Sequence, residues 1–338
     1  MTKRGRRGTT LQEIAQEIGV SVATVSRVAR GVGQVSEDTR RRVLAAIERY
    51  DFRPSRLGRG LAERSHGALG IVFPGLSGPY FSEVIGGFEE EAVRAELAVI
   101  ILGTHLLRES DELVRDTAAR VDGLAVMGGI LSDDVVDRLR DRGDPVIMLA
   151  GSPRAGIPTI RTENLSAFDR LTRHLLIDHG YDRLVFVGDP ESSPDASYRW
   201  RGFEQAYRHA EAGPPASPVR VGLTQSDGFI AVDRLLDAGP PPRALVCAND
   251  ETAIGAVLAL LDKGHRVPQD VAVTGFDDIP MAGLPVSGLT TVRQPMRELG
   301  METARLLLRE IEGSGPVAVD HVLETQLVIR GSCGCGTA

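Results

Sequence analysis

Val22, Ala23, Ser26 and Arg27 are the residues whose types and spacing most directly suggest a chemistry. With Ser21 as a helix cap and 100° per residue, the four fall within one arc of about 140°, while Thr24, Val25 and Val28 share the opposite side. The second group can pack inward. The first leaves two small apolar side chains and an arginine on a face that should be polar, which suits the base edges of DNA.

The elements that would position this face can be read on either side. Thr10-Leu11-Gln12-Glu13 has the form of a capping box, and Leu11, Ile14, Ala15 and Ile18 recur at helical spacing until Gly19 stops the run. Two helices joined at Gly19-Val20 make a helix-turn-helix. A third helix opens at Val35-Ser36, with Glu37 and Asp38 in its first turn and Val43, Ala46, Ile47 and Tyr50 along its inner face. Ordinary helical hairpins share this pattern, so the rest of the chain must decide.

The chain has 338 residues, 42% hydrophobic and 25% charged, enough for two or three domains with ample cores. Its net charge of −7 divides unevenly: residues 1–64 hold 14 Lys and Arg against 7 Asp and Glu, and the remainder 25 against 39. A basic head on an acidic body suits a nucleic-acid reader whose body stays off the phosphates. No apolar run approaches the roughly 18 residues of a membrane span, and no apolar stretch follows MTKRGRRG, so a cytoplasmic protein is expected.

Catalysis is not expected. GLSGP at 75–79 lacks the spacing of a nucleophile elbow, GRGLAE at 58–63 lacks the third glycine of a dinucleotide loop, and there is no Walker loop or His/Glu metal pair. Cys247, Cys333 and Cys335 fit a reducing compartment. The lone C-x-C of Cys333 and Cys335 has only His321 close in sequence, short of the usual four zinc ligands, so neither metal nor cofactor is predicted.

Residues 52–66 connect head to body; Leu57 and Leu61 would share one helix face, but Gly58 and Gly60 argue against a helix that is stable alone. The segment reads either as a flexible linker or as one that becomes helical on docking to DNA, pushing a leucine into the minor groove. From Gly67 onward, apolar runs at 69–73, 97–102, 123–127, 145–150, 183–188, 244–248 and 271–276 alternate with helical stretches at 81–96, 165–178, 199–211 and 250–263. Strands buried on both faces and separated by helices predict doubly wound parallel sheets, and the number of strands predicts two lobes with a cleft at their carboxyl ends.

The head TTLQEIAQEIGVSVATVSRVARG with VSEDTRRRVLAAIERYDFRPS resembles the DNA-binding domain of the LacI/GalR family of bacterial transcription regulators. IVFPGLSGPYFSEVIGGFEEEA, RWRGFEQA, CANDETAIGAVLALLDKGHRVPQDVAVTGFDDIP, LTTVRQP and LVIRGS follow in the family's order. The resemblance implies an all-α helix-turn-helix head at 1–54, a hinge at 55–66, and an α/β body at 67–338 with two doubly wound parallel-sheet lobes of periplasmic-binding-protein type. Lobe 1 would span about 67–162 and 292–321, and lobe 2 about 163–290 and 322–331, with crossings near Thr162, Thr291 and Val322.

The same resemblance implies a homodimer that binds a near-palindromic operator, senses a small sugar-like molecule and is expected to repress carbohydrate-related genes. A sugar-binding protein without a DNA role is the alternative. No leucine-heptad tail follows Arg330, so a tetramer is not expected. Val22, Ala23 and Arg27 would read bases, since Val and Ala can touch a thymine methyl and an Arg fork can pair with guanine O6 and N7. Thr10, Ser21, Ser26, Thr39 and Arg40 would contact phosphates, and Leu61 would be the minor-groove wedge.

For the effector, family position points to Arg199, Asn249 and Asp277, with Tyr80 and Phe81 as ring-packing residues and Asp195 as a further contact. Each polar residue could instead be a cap or loop hydrogen bond, Asp250 could cap the helix that follows it, and the aromatics, with Trp200 and Phe276, could be core. Three departures stand out: Ser55 replaces the usual Asn, the hinge is unusually rich in glycine, and Ala150-Gly151 stands where the lactose repressor has a sugar-binding aspartate, so a galactoside is not implied.

Overall fold

The computed structural model describes residues 10–29, 32–50, 65–105, 110–284, 288–314 and 320–336, and the chain divides into two compact units, Met1–Gly67 and Ala68–Ala338. Hinge residues Ser55, Leu57, Gly58, Gly60 and Leu61 lie outside the described residues.

In the first unit, α1 (Leu11–Ile18), α2 (Val22–Ala29) and α3 (Glu37–Arg49) surround a small core of Ile14, Ala15, Val25, Val28, Val43 and Ala46. The capping box forms: Glu13 N donates to the Thr10 hydroxyl at 3.3 Å, and Thr10 N donates to Glu13 Oε2 at 2.7 Å. Gly19 closes α1 at φ 69°, a left-handed conformation that glycine adopts without the Cβ penalty. Ser21 accepts from Thr24 N at 3.1 Å at the start of α2. Tyr50 departs from its expected inward position, because α3 ends at Arg49 and leaves Tyr50 as an exposed cap whose hydroxyl donates to the Glu17 carboxylate.

The second unit contains a six-stranded, all-parallel sheet in the order β10-β5-β4-β3-β1-β2. These strands are β1 (Ala68–Phe73), β2 (Ala98–Gly103), β3 (Gly123–Met127), β4 (Val146–Leu149), β5 (Thr159–Thr162) and β10 (Asp320–Leu323). A parallel sheet of three has the order β6 (Leu184–Val187), β7 (Ala244–Cys247), β8 (Ala272–Thr274), and β9 (Thr291–Arg293) pairs antiparallel with β11 (Gln326–Val328). The chain passes between sheets after Thr162, after Arg293 and after Leu323.

Helices α4 (Pro79–Arg94), α5 (Ser110–Ala118), α6 (Asp133–Asp141) and α11 (Met296–Ile311) accompany the larger sheet; α7 (Leu165–Arg173), α8 (Pro194–His209), α9 (Gln225–Ala238) and α10 (Asp250–Asp262) accompany the smaller. Six of the seven strands expected from apolar runs are buried along nearly their whole length, as sheets covered on both faces require, whereas β2, at the sheet edge, is exposed or half-buried throughout. The helix expected over 165–178 is α-helical only to Arg173, then widens into a π turn, His174–Asp178.

Close helix crossings depend on glycine. α4 and α11 meet at Gly87 and Gly300, where an added Cβ would fall 1.9 Å from Arg297 O and 2.0 Å from Val84 O, respectively. Where the first and third crossings lie side by side, Glu163 accepts two hydrogen bonds from Arg170, both 2.9 Å, and one from Thr325 at 3.1 Å. The Arg170 guanidinium, with smaller help from Ser166 and Thr325, holds the Glu163 carboxyl down at about 2 against the upward push of burial.

Candidate nucleic-acid interface and ligand cleft

On α2 the two faces separate as the helical arc requires. Val25 and Val28 are buried and Thr24 is half-buried, whereas Val22, Ala23 and Arg27 are exposed and Ser26 is half-buried. Val22 is 41% exposed, more than a packing role would leave it. The stem of Arg27 lies over the turn at Gly33, where an added Cβ would come within 3.2 Å of its Cδ, so the arginine is partly braced. Thr10, Ser21, Thr39 and Arg40 sit at or near helix starts: Thr10 and Ser21 cap, and the Thr39 hydroxyl accepts from the Ser36 hydroxyl at 2.9 Å. Their amides and hydroxyls belong to positive helix ends, where phosphate oxygens are favoured.

In the second unit the polar residues gather just past the carboxyl ends of strands. Tyr80 follows β1, Gly151 follows β4, Asn164 follows β5, Ala248 and Asn249 follow β7, and Asp277 follows β8, while Asp195 and Arg199 lie on α8 beyond β6. Arg199 is the hub. Buried to 6% exposure, its Nε donates to Asn164 Oδ1 at 2.8 Å, its Nη1 donates to Ala248 O at 2.7 Å, and its Nη2 lies 3.8 Å from Asp277 Oδ1. The guanidinium sits 3.9 Å above the Phe276 ring centroid.

From that hub the network runs both ways. Asn164 Nδ2 donates to Asp195 Oδ1 at 3.1 Å, which also accepts from Gly151 N at 3.4 Å. On the other side, Gln294 Nε2 donates to Asp277 Oδ1 and the Thr162 hydroxyl donates to Gln294 Oε1. Thr162 and Gln294 flank two of the chain crossings, so the polar cluster is bonded to the segments that join the sheets. Asp277 has φ 123°, a conformation that is costly for a residue with a side chain and often associated with functional sites.

Burial pushes both the Asp195 and Asp277 carboxyls upward, with Arg199 the main opposing influence in each case. The Tyr80 phenol is also pushed up, first by burial and then by the Asp195 and Asp277 carboxylates, which places the ring in the electrostatic neighbourhood of both acids. Among the described residues, Asp195 and Asp277 spend only Oδ1 on protein hydrogen bonds. Each Oδ2 is an acceptor without a protein donor, the arrangement that hydroxyl groups satisfy.

The structure therefore brings Tyr80, Asp195, Arg199 and Asp277 together, with Phe81 edge-on to both Tyr80 and Phe73 at 5.3 Å. Asn249 stands apart in role. Its Oδ1 accepts from Thr252 N at 3.1 Å as the cap of α10, and its Nδ2 donates to Leu223 O at 2.8 Å. The cap is thus Asn249 rather than Asp250, whose carboxylate instead accepts from the Thr291 hydroxyl at 2.6 Å and Ile279 N at 3.0 Å. Trp200 belongs to the core, stacked on Phe203 and edge-on to Phe186.

Two participants were missed by sequence reasoning, Asn164 and Gln294. Asn164 stands in the cap position before α7 but makes no capping bond, so its local signal pointed to the wrong task.

Residues 10–55 match the model of bacterial regulatory proteins of the lacI family, and residues 173–333 match a periplasmic binding protein-like domain. Over 335 residues the chain is 30% identical to the HTH-type transcriptional repressor CytR of Escherichia coli (strain K12), covering 98% of each protein. The chain belongs to the lacI family. This lacI-family DNA-binding regulator is also 30% identical to catabolite control protein A of Priestia megaterium, over 93% of this chain and 97% of that one. Among solved structures, a lac repressor dimer bound to operator and the anti-inducer ONPF matches with a TM-score of 0.84 and 26% identity, covering 97% of this chain and 99% of that one. A CelR–cellobiose complex matches with a TM-score of 0.70 and 27% identity over 96% and 99%. These relatives are transcriptional regulators rather than enzymes. Among the described residues no helix is long and apolar enough to cross a membrane.

Proposed function

We propose that this regulator is a cytoplasmic homodimeric repressor of carbohydrate-related genes whose grip on a near-palindromic operator is altered by a sugar-like effector. The observation that carries the effector reading is the Asp195–Asn164–Arg199–Asp277 network at the strand ends, with two carboxylate oxygens uncommitted and the Tyr80 and Phe81 rings beside it. Acceptors for several hydroxyls, a fixed donor fork and an aromatic face together suit a polyhydroxylated ring.

In this reading Val22, Ala23 and Arg27 touch base edges while Thr10, Ser21, Ser26, Thr39 and Arg40 hold phosphates, and Leu61 wedges the minor groove. The CelR complex with cellobiose and an Enterococcus faecium LacI-family regulator with bound ribose, 26% identical with a TM-score of 0.70, lend weight to a saccharide. Asn249, with Oδ1 on the α10 cap and one Nδ2 hydrogen on Leu223 O, keeps its second amide hydrogen to offer the effector. The homodimer is supported by the edge of β2, unpaired among the described residues, which presents Ile101 at 40% exposure, and by exposed Phe229, Ile230, Leu258 and Leu261 on α9 and α10.

Signalling follows if the effector binds the DNA-competent and incompetent arrangements unequally, since equal affinity shifts nothing. The bonds Asp277–Gln294–Thr162 tie the cluster to two crossings, giving a ligand on Asp277 a direct hold on the inter-lobe connections. The test is calorimetry of the full chain against a panel of pentoses, hexoses and disaccharides. At least one should bind and change operator affinity, and Asp195→Asn should weaken that sugar about tenfold or more. A chain that binds operator but no member of the panel would contradict the sugar reading.

A further inference from the structure

We propose that His174, His179, Cys333 and Cys335 form a structural zinc site that fastens the end of the chain to the second lobe. The four side chains come from segments about 160 residues apart and were not expected to meet; His321, the histidine nearest the cysteines in sequence, lies on β10 in the larger sheet. Their ligand atoms all lie within 4.8 Å of one another.

The backbone is shaped for this meeting at both ends. Residues five apart on an α-helix point about 140° away from each other. Here His179 N–H donates to His174 O at 3.3 Å, closing the π turn that follows α7, and the two imidazoles are brought onto one side with Nε2 atoms 3.2 Å apart. At the other end, Gly334 takes φ 107° between the two cysteines. A Cβ there would fall 2.8 Å from the Tyr181 hydroxyl and 3.4 Å from His179 Cε1, so only glycine lets the C-x-C fold back on the histidines.

Four of the six edges have the lengths of a tetrahedron around one ion. With Zn–N near 2.05 Å and Zn–S near 2.3 Å, the edges should be about 3.3 Å for N···N and about 3.6 Å for N···S. His174 Nε2 lies 3.6 Å from both Cys333 Sγ and Cys335 Sγ, and His179 Nε2 lies 3.3 Å from Cys335 Sγ. Hydrogen bonding alone serves this cluster poorly. His174 Nε2 faces another imidazole nitrogen and two sulfurs, and one proton cannot answer all three.

The surroundings also fit. Asp178 Oδ2 holds His174 Nδ1 at 2.8 Å, which leaves Nε2 as the ligand and raises its basicity. Tyr181 stacks on His179 at 5.0 Å and donates to Cys333 O at 2.9 Å, itself accepting from Arg243 Nη2 at 2.8 Å. Two thiolates and two neutral imidazoles give a zinc complex with no net charge, as burial of Cys333 and His174 demands, and binding sends the two thiol protons to solvent. Four protein ligands close the shell, so the ion would serve structure rather than catalysis, and N₂S₂ tetrahedral geometry selects zinc. A recess of about 520 Å³ lined by Ile329, Arg330, Gly331, Cys335 and Gly336 gives the ion a way in.

The experiment uses the untagged full chain, purified reduced. Mass spectrometry of metals should find about one zinc per chain, and cobalt(II) should give the intense visible bands and thiolate charge-transfer absorption of a tetrahedral S-ligated ion. Cys335→Ser and His179→Gln should each weaken zinc at least about 100-fold, while His209→Gln leaves it unchanged. A chelator should lower the melting temperature of the wild type but not of these two variants. A reduced chain that takes up no zinc, an octahedral cobalt spectrum, or undiminished affinity in both variants would overturn the proposal. If either variant fails to fold, zinc content and the cobalt spectrum of the wild type still decide.

Discussion

Arg199→Ala probes the physics that holds the polar network at the strand ends. The substitution deletes the donors to Asn164 Oδ1 and Ala248 O, lifts the guanidinium off Phe276, and leaves Asp277 buried at 4% exposure without its counter-charge. Hydrogen bonds from a charged group contribute about 1.5–3 kcal/mol each, and removing one member of a buried pair costs about 3–5 kcal/mol in all. Asp277, pushed up to about 8 by burial, is largely protonated near neutral pH, so the two lost hydrogen bonds rather than a broken ion pair set the cost, about 4 kcal/mol, or a fall of about 10 °C in melting temperature for a body of this size.

The loss should depend on pH in a defined direction. Burial raises the Asp277 carboxyl above its unfolded value of about 3.9, so its ionisation subtracts stability as pH rises from that value through the folded one. Without Arg199 the folded value rises further. Asp277 is then protonated in the native state of the variant over a wider range, and the destabilisation is larger at about pH 8 than at about pH 5. Asp277→Asn in the Arg199→Ala background should remove the pH dependence and recover part of the loss. Thermal unfolding of the four proteins across this range is the assay. A loss below about 1 kcal/mol, or one equal at both pH values, would refute the reasoning.

Three further outcomes are expected. Gly300→Ala should cost more than about 3 kcal/mol in urea unfolding, since its Cβ would sit 2.0 Å from Val84 O in the α4–α11 crossing. Glu163, depressed to about 2 by Arg170, should contribute about 1–2 kcal/mol that is fully present above about pH 4.3 and is lost as pH falls toward its folded value; the half-exposed guanidinium keeps the figure small. Glu163→Gln should accordingly flatten the acid limb of a stability–pH curve. Arg27→Ala should weaken the preferred duplex by about 1–3 kcal/mol in fluorescence anisotropy while changing scrambled duplex much less.

The parts of this molecule that could be read from sequence are those with a local physical signature. β1, β3, β4, β6, β7 and β8 appear as apolar runs because covered parallel strands need both faces greasy, and α1 and α2 announce themselves through caps and a glycine stop. β5, β9, β10 and β11 did not, because TIRT, TVR, DHVL and QLV are three or four residues long and mix charge with β-branching. HLLID reads as more α-helix, since nothing in its composition marks a π turn.

Family position pointed to Arg199 and Asp277, which the structure places in one polar network, and the structure adds what pairing alone can show. Asn164 and Gln294 have ordinary local roles available to them, and only the approach of Arg199 and Asp277 assigns them to the network. The meeting of Cys333 and Cys335 with His174 and His179 is likewise a product of tertiary structure, invisible at a sequence distance of about 160 residues.

The central claim is that an exposed, nearly apolar face on α2 reads DNA in a paired head while the acidic body answers to a sugar. Its most direct test is selection of duplexes from a random pool by the 338-residue chain, followed by titration of the selected duplex with and without the sugar panel at several salt concentrations. The account predicts a twofold-symmetric consensus, affinity that falls steeply with salt, and a shift in that affinity with at least one sugar. Enrichment of no symmetric sequence over scrambled competitor would contradict it.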